Sequence, residues 1–265
     1  MPYIEANGIT IRYRVTGSGP PILILRGLVR SMDFWLDFEP ALRRHFTVIT
    51  HDNRGIGGTS APWGLYSTAA MADDSAALLR AIGFDKVHVL GISLGGMIAQ
   101  EIVLRHPDLV ERLTLGCTRP GGGHGSRPAP GALARLVSCA FLPDEQANRR
   151  SMPILLSEGF MEAHPEIEPK WLELIRRWPI PRRVFIAQVA AAAKHRAGDR
   201  LRAVTAPTLV LCGDADKLIP PGNSEAIAGL IPGARLEWLK GSGHDFPTEQ
   251  PQEVARLVED FAAEG

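Results

Sequence analysis

The chain has 265 residues, and 29 Lys+Arg balance 29 Asp+Glu, a formal net charge of zero. At 45% hydrophobic and 22% charged it falls in the ordinary globular range, which excludes a disordered or collagen-like chain. Zero net charge also argues against a protein that coats nucleic acid or an acidic membrane, because both need a basic excess.

The first third alternates strand and helix signals. Residues 9–16 alternate around β-branched side chains, and 21–25 form a short apolar run after a Gly/Pro-rich turn. Residues 33–44 place apolar side chains at helical spacing, and 46–50 again read as a buried strand. The turn-rich stretch Asp52-Asn53-Arg54-Gly55-Ile56-Gly57-Gly58-Thr59-Ser60 follows. A helix is expected over 68–82, with Ser67 or Thr68 as its N-cap and Gly83 as its stop. Then come a strand at 87–90, a helix at 94–105 ended by His106-Pro107, and a strand at 112–115. This order predicts an α/β fold with a mostly parallel sheet covered by helices on both faces.

The pattern changes after Thr118. A Gly-rich loop at 120–128 leads into helical segments only: 132–141, 144–157, 169–178 and 182–194. Strand signals return at 208–212 and 235–239, with helices expected at 224–230 and 251–261. The α/β pattern is incomplete without those last two strands. An all-helical cap at 119–200, inserted into a body formed by 1–118 and 201–265, explains this better than a second independent domain.

Cys117, Cys139 and Cys212 are widely spaced, with no CxxC pair. Neither a disulfide framework nor a structural zinc site is indicated, and Cys117 and Cys212 read as small core residues. The first eight residues do not resemble a signal peptide, and the apolar stretch 87–104 is too interrupted to span a membrane. The expectation is a soluble, cytoplasmic protein, a monomer or homodimer, with no nucleic-acid or membrane partner.

The decisive segment is Gly91-Ile92-Ser93-Leu94-Gly95, a G-x-S-x-G between a predicted strand and a predicted helix. In that setting the chain reverses sharply and projects the Ser93 hydroxyl. The helix that starts there favours developing negative charge through its N–H groups and dipole. A serine hydroxyl needs a base, and the base needs an orienting carboxylate. Of eight histidines, His244 alone sits in a loop between the last predicted strand and the last helix. His45, His51, His88, His106, His124, His164 and His195 read as surface or loop residues, and none forms a metal-binding cluster. The carboxylate candidates are Asp214 and Asp216, after the penultimate strand. Spacing alone does not choose between them, since one can orient the imidazole while the other caps the turn.

These motifs resemble the α/β-hydrolase-fold serine hydrolases, a group of small carboxylesterases, cofactor-free haloperoxidases, enol-lactonases and C–C bond hydrolases. The resemblance covers nearly the whole chain outside the cap. It rests on the elbow 91–95, the order Ser93, Asp, His244, the 52–60 turn, and Gly213-Asp214-Ala215-Asp216 followed by Pro220. It implies Asp216 as the triad acid, with Asp214 as the fallback. It also implies an oxyanion hole from the backbone N–H groups of Leu28 and Leu94. Relatives usually carry His-Gly where this chain has Arg26-Gly27, so Arg26 is expected to brace that loop, pair with an acid, or meet an anionic substrate.

The implied reaction is hydrolysis of small esters or lactones through an acyl-enzyme, with no cofactor and no metal. C–C hydrolysis of ring-cleavage products or perhydrolysis is the enzymatic alternative, although Ile92 stands where many C–C hydrolases carry Asn. The elbow serine separates the chain from the branch with an aspartate nucleophile, the haloalkane dehalogenases and epoxide hydrolases. Substrate contacts are expected from Arg26, Trp35, Phe141, Phe160 and Trp171. A small-ligand receptor on the same fold is the non-enzymatic alternative.

Overall fold

The computed structural model describes residues 2–264. Eight strands, β1 (Tyr3–Ala6), β2 (Ile9–Gly17), β3 (Pro21–Leu25), β4 (Thr47–His51), β5 (Val87–Ile92), β6 (Val110–Gly116), β7 (Thr208–Gly213) and β8 (Arg235–Leu239), form one sheet. Its order is β1-β2-β4-β3-β5-β6-β7-β8. The pairs β1/β2 and β2/β4 are antiparallel, and all later pairs are parallel.

The helices are α1 (Phe38–Leu42), α2 (Thr68–Ala81), α3 (Leu94–Arg105), α4 (Pro130–Ser138), α5 (Asp144–Leu155), α6 (Glu158–Ala163), α7 (Ile167–Arg177), α8 (Arg182–Lys194), α9 (Gly222–Leu230), α10 (Phe246–Glu249) and α11 (Pro251–Ala263). Successive side chains of a strand point to opposite faces, and the core divides accordingly. Leu23, Leu25, Val89 and Val210 pack on one face with α2, α3 and α9 residues such as Leu79, Ile98 and Ile227. Ile22, Ile24, Leu90, Leu209 and Leu211 pack on the other with Phe38 and Leu42 of α1 and Val254 and Val258 of α11. A strand buried on both faces reads as an unbroken apolar run, which is why β3 and β7 were visible as such.

Between β6 and β7 the described residues contain only helices, α4 to α8, and short 3-10 turns. They carry a separate apolar cluster in which Met152, Leu156, Ile167 and Trp171 pack on Phe34 of the body. No helix among the described residues is long and apolar enough to cross a membrane.

The structure departs from expectation in four places. The region 33–44 is a 3-10 turn (Met32–Trp35) followed by α1, because Leu36 breaks the helix at φ 41°. Phe34, Trp35 and Phe38 are all buried, so their spacing reflected burial and not one continuous helix. Strand β1 is short and mostly exposed, which leaves no apolar alternation to read. The short helices α6 and α10 lie below the length at which periodicity is informative. At the start of α2 it is Ser67 that caps, its hydroxyl accepting from Ala70 N at 3.1 Å.

Candidate active site

Ser93 stands at the C-terminal end of β5 and opens α3, with φ 57° and ψ −118°. A β-carbon at Gly91 would lie 2.2 Å from the Gly95 carbonyl oxygen, and one at Gly95 would lie 2.1 Å from the Leu25 carbonyl oxygen. Only glycine allows β5, α3 and β3 to approach this closely. The turn is held from outside: Ser93 N donates to Gly116 O at 2.9 Å, and the Thr118 hydroxyl donates to Ser93 O at 2.7 Å. A left-handed non-glycine residue costs about 1–3 kcal/mol and persists only where its surroundings enforce it.

His244 lies on the loop between β8 and α10, and its Nδ1 is 2.8 Å from Asp216 Oδ2. Both side chains are buried, with 5% and 1% of their surface exposed. The other carboxylate oxygen, Asp216 Oδ1, accepts from Leu218 N at 2.8 Å and Ile219 N at 2.9 Å. Two backbone donors therefore orient the carboxylate, and the carboxylate orients the imidazole. An ionised Asp216 fixes the proton on Nδ1 and leaves Nε2 as the acceptor. Asp214 is exposed and accepts from Gly241 N at 2.7 Å, so it closes the β8–α10 loop instead. The two aspartates that spacing could not separate thus take different partners.

Below this pair, the Cys117 thiol donates to His244 O at 2.9 Å. Burial pushes this thiol well above its ordinary value, with the negative charges of Asp216 and Asp245 adding to the effect, so it stays protonated. Ligand atoms of Cys117, Asp216 and His244 lie within 4.8 Å of one another. A protonated thiol beside a carboxylate already engaged by imidazole and two backbone N–H groups suits a hydrogen-bond network better than a cation.

Arg26 resolves into a buried structural pair. Its Nη1 and Nη2 donate to Asp245 Oδ1 and Oδ2 at 2.8 and 2.9 Å, and its guanidinium lies 4.7 Å from the Trp35 ring centroid. Burial works to raise the Asp245 carboxyl, but the charge and hydrogen bonds of Arg26 outweigh it and hold Asp245 below its ordinary value. The pair ties the loop after β3 to the residue following His244. Gly27 is pressed on the elbow: a β-carbon there would be 3.1 Å from Ser93 Cβ. Val29 has φ 53°, and its N–H donates to Gln188 Oε1 at 3.0 Å. Gln188, fully buried on α8, also donates from Nε2 to Arg54 O.

Ser93, His244, Gly27 and Leu28 line a cavity of about 390 Å³, together with α4–α8 residues including Leu136, Asn148, Leu155 and Phe185. Leu94 is buried at the first position of α3, where helical N–H groups have no intrahelical partner. Arg26 lines the cavity with both Nη atoms engaged by Asp245, while its buried Nε has no hydrogen-bond partner. Trp35, Phe141, Phe160 and Trp171, expected as substrate contacts, are not among the lining residues. Trp35 is buried and donates to Thr50 Oγ1, and Trp171 packs edge-on against Phe34. Phe160 belongs to the cluster behind the wall, and Phe141 is 61% exposed. Trp35, Phe160 and Trp171 are packing groups, and apolar type alone could not say which side of the wall they occupy.

Sequence reasoning missed Asp245, Gln188 and Arg30. Only Asp245 carried a signal, its adjacency to His244. Gln188 lies on a predicted helix and Arg30 between a predicted strand and helix, with nothing local to mark either. The other histidines have partners elsewhere. His195 is buried between Thr68 Oγ1 and Gln100 Oε1, and burial pushes it down to about 3. His51 is buried against Ser75.

A family model described as the alpha/beta hydrolase fold matches residues 20–150. The chain is 37% identical to a fluoroacetate dehalogenase from Burkholderia sp, over 98% of this chain and 93% of that one. A thermophilic esterase from Thermogutta terrifontis superposes with a TM-score of 0.85 at 28% identity, covering 99% of this chain and 98% of that one. An N-acyl homoserine lactone degrading enzyme does so at 0.83 and 30%, covering 98% and 100%. The chain belongs to the α/β-hydrolase fold family. The relatives it matches are hydrolases.

Proposed function

We propose that the protein is a serine hydrolase that cleaves small esters or lactones with Ser93 as nucleophile, His244 as base and Asp216 as orienting acid. One observation carries this reading. His244, held by an Asp216 carboxylate that two backbone N–H groups anchor, lines the same cavity as the strained elbow serine.

The geometry supports the following mechanism. His244 Nε2 takes the Ser93 proton as Oγ attacks the carbonyl carbon. The N–H groups of Leu28 and Leu94 receive the oxyanion, and α3 adds its dipole. His244 passes the proton to the departing alkoxide, leaving an acyl ester on Ser93. Water, deprotonated by His244, then releases the acid and restores the serine. Asp216 holds the Nδ1 proton and stabilises the imidazolium throughout. Helices α4–α8, within residues 119–200, act as the cap over this site and shape the cavity that receives the substrate.

The esterase and lactone-degrading relatives fit this chemistry. The dehalogenase relative's reaction does not carry over through Ser93. Displacing halide from carbon with a serine oxygen would leave an ether, which water at such a site does not cleave. An acyl ester is cleaved readily.

The test is a fluorophosphonate probe on intact protein, with a panel of aryl esters and lactones. Ser93 should be the labelled residue, and Ser93→Ala should lose about 10⁶-fold in kcat on any ester that is turned over. Unlabelled Ser93, or ester hydrolysis that survives Ser93→Ala, overturns the reading.

A further inference from the structure

Arg30, in the loop after β3, lines the same cavity as Ser93 and His244. Among the described residues it has neither an ion-pair partner nor a hydrogen bond. Its guanidinium lies over the corner formed by Phe34 and Trp171, 4.4 Å from each ring centroid. These rings meet at 67° with centroids 6.0 Å apart. Aromatic faces attract the cation and fix its plane, but they do not satisfy its in-plane N–H donors.

The other charges around the cavity leave this cation uncompensated. Arg26 and Asp245 neutralise each other as a bidentate pair. His244 and Asp216 form the second pair. Asp144 and Arg182 are both exposed and balance at the rim. Arg30, half-buried, remains as an uncompensated positive charge in the wall of the cavity that Ser93 also lines. Burial lowers it to about 10, with the Asp245 charge opposing this and Arg26 adding to it, so it is still charged at neutral pH. An interior cation without a partner is destabilising, and an anion that supplies in-plane acceptors offsets that cost.

We propose that Arg30 is a carboxylate subsite, so that the preferred substrates are esters or lactones bearing a free carboxylate, such as half-esters of dicarboxylic acids. This rests on the serine-hydrolase reading for its chemistry but not for its binding. The planar fork matches a carboxylate held edge-on, which orients the substrate and places its acyl carbon toward Ser93. A cavity of about 390 Å³ suits a chain of a few carbons between the two groups.

The experiment has two arms. In the first, p-nitrophenyl hemiglutarate and p-nitrophenyl valerate are compared on the native protein, Arg30→Met and Arg30→Lys. The native protein should favour the hemiester. Arg30→Met should raise its KM about 10–100-fold while leaving the neutral ester within about 3-fold, and Arg30→Lys should restore part of the loss. A native preference for the neutral ester, or equal losses on both substrates, overturns the subsite while leaving the serine reading intact. The second arm needs no turnover: glutarate binding is measured by calorimetry on the native protein and on Arg30→Met. Glutarate that binds both equally, or neither, overturns the subsite even if Ser93 proves inert. If Arg30→Met does not fold, the native substrate preference, native glutarate binding and the Arg30→Lys comparison still decide the matter.

Discussion

Replacing Asp245 by Asn should destabilise the protein far more than a surface substitution. The perturbation is small in volume and keeps the Asp245 backbone N–H bond to Leu155 O at 2.7 Å. Among the described residues it removes the one carboxylate that Arg26 touches, while Arg26 stays 3% exposed. Removing one partner of a buried pair costs about 3–5 kcal/mol, because the remaining charge is left without water or counter-charge. For a chain of this size each kcal/mol lowers the melting temperature by roughly 2–4 °C, so a fall of roughly 10 °C is expected. Arg26→Met removes the bidentate partner of the buried Asp245 carboxylate, leaving it the Thr248 hydroxyl at 3.2 Å and the charge of Arg30. The double variant should recover much of the loss, giving a coupling of roughly 2 kcal/mol or more. Urea unfolding at pH 7 measures all four proteins. The sign with pH is also fixed. Asp245 sits below its ordinary value in the folded protein, so its stabilisation is complete above the unfolded carboxylate value of about 4. It is lost as the pH falls from there through the lower folded value, and Asp245→Asn should lack this component. A single variant within about 1 kcal/mol of native, or additive single effects, would refute the reasoning.

Asp216→Asn should cut kcat by about 10⁴-fold with the protein still folded, whereas Asp214→Asn should change kcat less than about 5-fold, and steady-state kinetics separate the two. Gly27→Ala puts a β-carbon 3.1 Å from Ser93 Cβ and 3.5 Å from Ser93 Oγ. Its esterase kcat should fall by about 10-fold or more with little change in urea midpoint. His195 is neutral when folded and pushed down to about 3. Stability should therefore decline as the pH drops from about 6.5 toward 3, with this residue supplying up to about 1.4 kcal/mol per pH unit. His195→Gln should flatten that part of the curve, and native slope unchanged in the variant would count against it.

The middle of the sheet was legible because β3 and β7 are buried on both faces, so Ile22–Leu25 and Thr208–Cys212 appear as nearly unbroken apolar runs between turn residues. The elbow was legible because its glycines answer to backbone contacts that no other residue allows. His244 could be picked from eight histidines by its place after the last strand. The choice of Asp216 over Asp214 needed three dimensions, since it depends on which carboxylate turns inward to meet Leu218 N, Ile219 N and His244. The cavity wall was the least legible part. Amphipathic spacing shows that a helix buries a face, but Trp171 and Leu155 satisfy that pattern equally, and only Leu155 reaches the cavity.

The strain in the backbone explains why these pieces must be read together. Among the described residues, five non-glycine residues have positive φ: Asn7, Val29, Leu36, Ser93 and Cys117. Asn7 is in the turn between β1 and β2, where this residue type is common. Ser93 and Cys117 follow β5 and β6 directly, and Val29 and Leu36 lie in the segment after β3. Val29 is β-branched, a type for which positive φ is a marked outlier. Three of the five are clamped by groups distant in sequence: Ser93 by Gly116 and Thr118, Val29 by Gln188 of α8, and Cys117 by Leu211 O and His244 O. The helical segment does more than cover the cavity, because Gln188 fixes the loop that presents Gly27, Leu28 and Arg30. If that clamp sets the oxyanion loop, Gln188→Ala should lower kcat on neutral esters and hemiesters alike. A rise in KM confined to hemiesters would instead place its effect on Arg30 alone.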